Sequence, residues 1–375
     1  MARKGENIYR RQDGRWEGRY IKSRKPNGKA CFGSVYGKTY GEVKKILMPL
    51  KAMYSESGRE SVNTRPFREY LAAHLAKKRN TVKASSYDSY HRMNNHILLG
   101  LGAVPMHQLT QQHAEDFLDS LRRSGLSDGT VLNIFRYLAG VTKKAAQSGA
   151  MAKDACAGIS LPKPKRKKVN ALQRVQQKAV EGAAAAAMEN SEFLLGLDVA
   201  IALNTGMRLG EICALKWDDL DLGNRVIHVN RTLQRLNLYG QEKNSKTAIV
   251  TDAPKSEASR RDIPINAGLL ELLRARRPHA KGPFVIEGRR GHVEPRVLQY
   301  RFEKLLERAS LPHMGYHALR HSFATRCAEL HVNTVTISRL LGHSSSRITE
   351  ETYIDTLMEQ RFAAVHRLDE LALAA

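Results

Sequence analysis

A histidine at position 343 is followed ten residues later by a tyrosine, within Leu341-Gly342-His343-Ser344-Ser345 and then Thr352-Tyr353. Upstream stand His317-Ala318-Leu319-Arg320-His321, Lys255, and Thr205-Gly206-Met207-Arg208-Leu209-Gly210-Glu211. Two arginines, a lysine, two histidines and a late tyrosine suit one reaction, attack of a phenol hydroxyl on a phosphodiester to form a covalent phosphotyrosine. Arginine presents a planar fork to two non-bridging phosphate oxygens, and lysine or histidine can move the protons. The cations are side chains, so this chemistry calls for no metal and no cofactor. A phenol is protonated at neutral pH; it needs a base and stabilising charge, and the cationic set supplies the charge.

Taken singly, each residue has a plainer reading. Arg208 in a Thr-Gly-x-Arg string is unremarkable. Lys255 lies in Ala253-Pro254-Lys255-Ser256-Glu257-Ala258-Ser259-Arg260-Arg261, a polar turn in which a surface lysine is ordinary. Tyr353 alone reads as a core aromatic. The weight lies in their joint occurrence, in this order. That order and spelling resemble the tyrosine recombinase (integrase) family over the half of the chain from about Asn204 to Tyr353. The nearest likeness is to the three-part integrases of temperate phages and conjugative transposons.

The resemblance implies roles. Arg208 and Arg320 would clamp the scissile phosphate, and His317 would handle a proton or stabilise the transition state. Lys255, on a turn entering the minor groove, would protonate the leaving 5′ oxygen. His343 would hydrogen-bond the phosphate. Tyr353 would be the nucleophile, with Tyr316 the next tyrosine to consider. Cleavage would leave a 3′-phosphotyrosyl bond and a free 5′ hydroxyl without ATP or metal. Two strand exchanges through a Holliday junction would imply four protomers. Glu211 reads as a structural partner that orients its neighbours. His321, one step of about 100° past Arg320, reads as structural. Related chains usually carry glycine where this one has His331, at a helix end where glycine suits the left-handed turn. Two rival functions share some of these features. A monomeric type IB topoisomerase would share the chemistry but has no need of extra modules. A non-catalytic DNA-binding protein would share the charge but has no need of five catalytic motifs.

These residues need elements to hold them. At 375 residues the chain is too long for one ordinary domain. Residues 1–58 read as a three-stranded β module with a helix. Ile8 to Arg11 and Arg15 to Ile21 flank Gln12-Asp13-Gly14, a hairpin signal. Pro26-Asn27-Gly28 marks a second turn before a strand over Lys29 to Tyr36. Thr39 can cap a helix with Tyr40, Val43, Ile46, Leu47 and Leu50 on its apolar face. Residues 1–60 hold fifteen Lys/Arg against six Asp/Glu, a net +9. A thin basic sheet of this kind can lie in a major groove, with Arg10, Arg15 and Arg19 as the candidate contacts; a structural appendage with a solvated basic face is the plain alternative. The module resembles the arm-type DNA-binding domain of such integrases.

Residues 62–160 read as a helical bundle, resembling the SAM-like core-binding domain. Phe67, Tyr70, Leu71, His74 and Leu75 fall at helical spacing, as do Tyr87, Tyr90, Met93, Ile97 and Leu98 before a stop at Gly100-Leu101-Gly102. Gln111 to Arg123 turns Phe117 and Leu121 inward, and Ser127 can cap a long helix through Val131, Ile134, Leu138, Val141 and Ala145. Arg79, Lys83, Arg92, Lys143 and Lys144 can touch phosphate or form a solvated face. His74, His91 and His96 read as surface or packing residues. Residues 161–170 form a basic, proline-broken linker in which Lys163, Lys165 and Arg166 would cross the DNA backbone. Residues 171–375 would be the catalytic domain, mostly helical with a small sheet. Val226 to Val229 and Arg261 to Ile265 read as strands, and Glu181 to Ala187 as alanine-rich helix. In the tail from Met358, Phe362, Val365, Leu368 and Leu371 share a face that can pack on its own domain or on a neighbour. The fold class is therefore multidomain and mainly α, with a small β module at the N-terminus and a mixed α/β, mostly helical, catalytic domain.

Net charge is +24, which points to a polyanionic partner. The resemblance makes that partner double-stranded DNA at core and arm attachment sites, with accessory DNA-bending or excision factors possible. No apolar run approaches the 18 or so residues of a membrane span, and the N-terminus has no apolar signal core. Cys31, Cys156, Cys213 and Cys327 are far apart, which argues against zinc or disulfides and for a reducing cytoplasm.

Overall fold

Short runs of β-branched and aromatic residues broken at Asp13-Gly14 fold as expected. The computed structural model describes residues 7–24, 29–57, 63–161, 171–189, 193–239, 246–253, 257–289, 291–343, 345 and 365. They fall in two units, Met1–Pro164 and Lys165–Ala375.

In the first unit, β1 (Ile8–Arg10), β2 (Trp16–Arg24) and β3 (Ala30–Gly37) form an antiparallel sheet in that order. Helix α1 (Tyr40–Ser57) covers one face. Thr39 caps it by accepting from the Glu42 amide at 3.2 Å. Val43 and Leu47, one turn apart, are fully buried against Ile8. Ile46 departs from the expected apolar face and is 45% exposed, because a three-stranded sheet covers only the narrow stripe of Val43 and Leu47. The expected turn at Pro26-Asn27-Gly28 lies outside the described residues.

A separate core gathers Phe67, Leu71, Ile97, Phe117, Ile134, Phe135 and Leu138 from α2 (Phe67–Arg79), α3 (Ala84–Leu101), α4 (Gln111–Arg123) and α5 (Asp128–Gln147). Helix α3 runs through Gly100 and ends at Leu101. Ser127 caps α5 by accepting from the Thr130 amide at 3.3 Å.

The second unit begins with α6 (Arg174–Glu189) and α7 (Phe193–Thr205). Helix α7 is apolar nearly all round, with Asp198 its one charged residue, which suits a central place; Leu197, Val199, Ile201 and Ala202 are fully buried. Then follow α8 (Leu209–Ala214), β4 (Leu220–Asp221), β5 (Val226–Val229), β6 (Thr232–Asn237), β7 (Thr247–Asp252), β8 (Arg261–Pro264) and α9 (Ala267–Arg276). After β9 (Glu287–Gly288) and β10 (Gly291–His292) come α10 (Pro295–Arg308), α11 (His317–Glu329) and α12 (Thr334–Leu341). Strands β4, β5 and β8 make one sheet, β6 pairs with β7, and β9 with β10. The chain between β7 and β8 therefore leaves one sheet and enters another, and Lys255 belongs to this connection. No described helix is long and apolar enough to cross a membrane.

Candidate active site

Helix α7 stops at Thr205 because Gly206 turns the chain with a left-handed φ of +62°. A side chain there would be strained and would strike Phe323 at 2.5 Å and Leu341 at 2.9 Å. Two residues on, Arg208 is the N-cap of α8. Its backbone amide and its Nη1 both donate to Glu211, each at 2.8 Å, and its Nη2 donates to the Gly342 carbonyl at 2.8 Å. Glu211 is 3% exposed and also accepts from Arg261, at 2.9 Å from Nη2 and 3.2 Å from Nη1. Burial alone would raise its pKa, but the hydrogen bonds and charge of Arg261, then Arg208, outweigh this and hold it below the ordinary carboxylate value. Glu211 is thus the orienting partner that its place after Arg208 suggested.

On α11, His317 stands in the first turn and Arg320 follows three residues later. Arg320 is 4% exposed; its Nη1 donates to the Gly206 carbonyl at 2.8 Å and its Nη2 to the Leu341 carbonyl at 2.7 Å. His321 corrects the expectation that it points elsewhere. It is four residues from His317, so the two share a face, and their rings meet edge to face with centroids 4.8 Å apart.

Helix α12 ends at Gly342, which takes φ +64°. The Gly342 amide donates to the Arg339 carbonyl and the His343 amide to that of Ser338, both at 3.0 Å, the paired bonds of a Schellman end. A Cβ on Gly342 would come within 3.1 Å of the Ala258 carbonyl and of the Arg261 side chain. This end fixes His343. It also leaves three consecutive carbonyls for other donors, and each takes a different arginine. Arg261 Nε donates to Leu340 at 2.5 Å, Arg320 to Leu341 at 2.7 Å and Arg208 to Gly342 at 2.8 Å. Carbonyls at a helix C-terminus lack partners in the helix and favour cations. Arg261 carries no signal of its own in the sequence, where it is the second arginine of Arg260-Arg261 at the start of a strand.

Burial, and then the neighbouring cations, depress the histidines. His343 falls to about 4, by burial first and then by Arg320, Arg208, His321 and Arg261. His317 also falls to about 4, by desolvation and then His321, Arg320 and Arg208. The His317 ring keeps solvent access, so its cationic neighbours are the firmer reason for the direction. Both are neutral near pH 7 and can accept a proton or a hydrogen bond. The structure thus brings Arg208, His317, Arg320 and His343 together. Lys255 and Tyr353 lie outside the described residues, as do Lys163, Lys165, Arg166 and the tail apart from Val365. Tyr316 is a core residue, 5% exposed, with its hydroxyl donating to the Asp198 carbonyl at 3.1 Å. Burial drives its pKa well up, so it is no rival nucleophile. Among the described residues no group of His, Cys, Asp and Glu could hold a metal ion.

In the N-terminal sheet, Arg15 is paired with Asp13 at 2.8 Å and Arg19 with Glu17 at 2.9 Å. Arg10 is exposed, two residues along β1 from the buried Ile8. Alternation therefore puts it on the helix-covered side, and Arg11 with Arg19 on the open side.

Residues 171–360 match the model of the phage integrase family, and residues 66–160 match that of the phage integrase SAM-like domain. The chain belongs to the phage integrase family. It is a tyrosine recombinase, an enzyme that recombines DNA at specific sites. A tyrosine recombinase XerC-like protein of Caldanaerobacter subterraneus subsp. tengcongensis is 26% identical over 381 residues, covering 93% of this chain and 94% of the relative. The ICEBs1 integrase of Bacillus subtilis (strain 168) is 24% identical over 291 residues, covering 74% of this chain and 76% of its own length. Among solved structures, the Tn1549 transposon integrase in complex with a circular intermediate DNA matches with a TM-score of 0.67 at 22% identity, covering 80% of this chain and 99% of that one. A lambda integrase tetramer bound to a Holliday junction matches at 0.59 and 18% identity, covering 91% and 96%. At these identities the structural matches establish the shared fold.

Proposed function

We propose that this chain integrates and excises a mobile DNA element, with Tyr353 as nucleophile. The observation that carries the reading is the anchoring of Arg208 and Arg320 on adjacent carbonyls at one helix end, beside His317 and His343. Two guanidiniums held this close suit one doubly contacted phosphate. In the reaction, the Tyr353 oxygen bonds to phosphorus and the 5′ oxygen leaves. The phenol proton passes to a base of the site, for which neutral His317 is suited. Lys255, on the connection from β7 to β8, donates the proton that the 5′ oxygen takes up. A 5′ hydroxyl of a partner duplex then attacks the phosphotyrosine, and the tyrosine recovers its proton.

The integrase-named relative from Bacillus subtilis and the transposon integrase bound to a circular intermediate support a mobile-element role. The lambda integrase tetramer on a Holliday junction supports four protomers here and two strand exchanges, and we place the reaction on cytoplasmic DNA. We assign residues 1–58 to arm sites, 62–160 and 171–375 to the core site and 161–170 to the crossing between them, with accessory bending or excision factors as further partners. The test is exchange between two duplexes that carry the attachment DNA. Recombinant products of joined flanks are expected; relaxation of supercoils with no exchange would make the chain a topoisomerase instead.

A further inference from the structure

The sheet face that α1 leaves open carries a built arrangement of charge. The β2–β3 register sets Glu17 opposite Tyr36, Arg19 opposite Ser34 and Ile21 opposite Phe32, so all six share this face. Glu17, at its centre, is 2% exposed. Its Oε1 accepts from Arg19 Nε at 2.9 Å and Ser34 Oγ at 2.8 Å, and its Oε2 accepts from Arg11 Nη1 at 2.8 Å. A buried carboxylate is costly unless fully paired. Here, although burial opposes it, the bonds from Arg19, Ser34 and Arg11 hold Glu17 ionised, with its pKa lowered to about 2.

The arginines are fixed on a second side by tyrosine rings. Arg11 lies 5.6 Å from the Tyr36 ring centre and Arg19 lies 5.4 Å from that of Tyr9. Both guanidiniums remain about half open to solvent. Arg19 uses only Nε on Glu17, and among the described residues its terminal nitrogens have no protein acceptor. Phe32, 60% exposed, adds an apolar surface to the same face.

An acid is out of place on a surface that only attracts phosphate, because it removes positive charge where the polyanion would sit. It is useful where guanidiniums must meet a fixed pattern of acceptors. Guanine O6 and N7 in the major groove form such a pattern, a thymine methyl suits an apolar side chain, and a β ribbon enters that groove. Residues 1–60 carry a net +9, which complements the duplex.

We propose that Glu17 determines sequence specificity in the N-terminal module. By holding Arg11 and Arg19 it presets both guanidiniums for base edges in the major groove, with Phe32 placed for a thymine methyl. This rests on the arm-site reading given above.

The test uses the full chain. Wild type selects duplexes from a random-sequence library, and an Arg11→Ala/Arg19→Ala variant selects from the same library. The variant is expected to lose one sequence element that wild type enriches. If both enrich the same sequences, Arg11 and Arg19 read no base and the proposal is overturned, while the arm-site reading is decided by the footprint of residues 61–375. Glu17→Gln is then titrated against a duplex bearing that element and against a scrambled duplex. Affinity for the first should fall about tenfold or more, the loss of a good bidentate base contact. Affinity for the second should hold or rise, because a negative charge is gone. A change of the same sign and size on both duplexes overturns the proposal, since Glu17 then only neutralises or supports the sheet. Should Glu17→Gln unfold the module, Arg19→Lys decides, because it keeps the charge and loses the fork. Loss of discrimination by Arg19→Lys sustains the proposal. Discrimination equal to wild type overturns it and leaves the arm-site reading standing.

Discussion

At the scale of residues, the site is built from arginines that finish a helix. Leu340, Leu341 and Gly342 offer carbonyls that α12 cannot satisfy, and Arg261, Arg320 and Arg208 each take one. This serves two ends at once, since the same bonds cap the helix and crowd three cations around His343. The two proposed phosphate clamps differ in setting. The Arg208 side chain is 37% exposed, whereas Arg320 is buried and carries two carbonyls. Arg208→Ala should therefore cut cleavage on the order of 100-fold at a smaller cost in stability, because Glu211 keeps its bonds from Arg261. Arg320→Ala should cut cleavage similarly and also cost about 1–3 kcal/mol of stability, because buried carbonyls lose their donor. Cleavage of a nicked core duplex and urea unfolding measure the two effects, and near-equal stability of the two variants would contradict the distinction. The gathering of Arg208, His317, Arg320 and His343 was legible in the joint occurrence and order of their strings, each of which is plain by itself. Arg261 was not, because its partners lie 50 and 79 residues away.

At the scale of elements, two helix ends set the geometry, and they make a natural comparison. Helix α12 ends on Gly342, whose φ of +64° favours glycine and where a Cβ would press within 3.1 Å of the Ala258 carbonyl and of Arg261. Helix α11 ends in the same hydrogen-bond pattern at His331, with φ +59°. There a histidine adopts the conformation that glycine favours, as its place in the motif suggested. His331→Gly should stabilise the protein by about 1 kcal/mol and leave cleavage unchanged. Gly342→Ala should destabilise it by about 1–2 kcal/mol and abolish cleavage, since His343 and all three carbonyls would shift. Urea unfolding and a cleavage assay on both variants check this; unchanged cleavage by Gly342→Ala would remove the helix end from the account. The elements were largely readable beforehand. The caps at Ser127 and Thr39, the strand pair Val226–Val229 with Arg261–Pro264 and the hairpin at Asp13-Gly14 all rest on local signals. What local signals could not show was which neighbour a face meets. Ile46 reads as core by spacing but has no layer to cover it, and His321 reads as structural, turned away from Arg320, until its four-residue relation to His317 is drawn.

At the scale of the whole molecule, the separate small core of the N-terminal module suits an independent DNA contact. Deleting residues 1–60 should leave core-site cleavage by residues 61–375 largely intact. It should also remove protection of flanking arm DNA. The salt dependence of binding should flatten by about one unit of slope for every phosphate that the module neutralises. Footprinting decides: identical protection by the full chain and the truncation would give the module a structural role. The central claim concerns the covalent step, for which Arg208 and Arg320 wait on a nucleophile. Its most direct measurement is a denaturing gel of protein incubated with a nicked suicide core duplex, comparing wild type with Tyr353→Phe. Wild type should trap a covalent protein–DNA adduct, and Tyr353→Phe should bind the duplex equally well and form none. An adduct of undiminished yield from Tyr353→Phe would contradict the account.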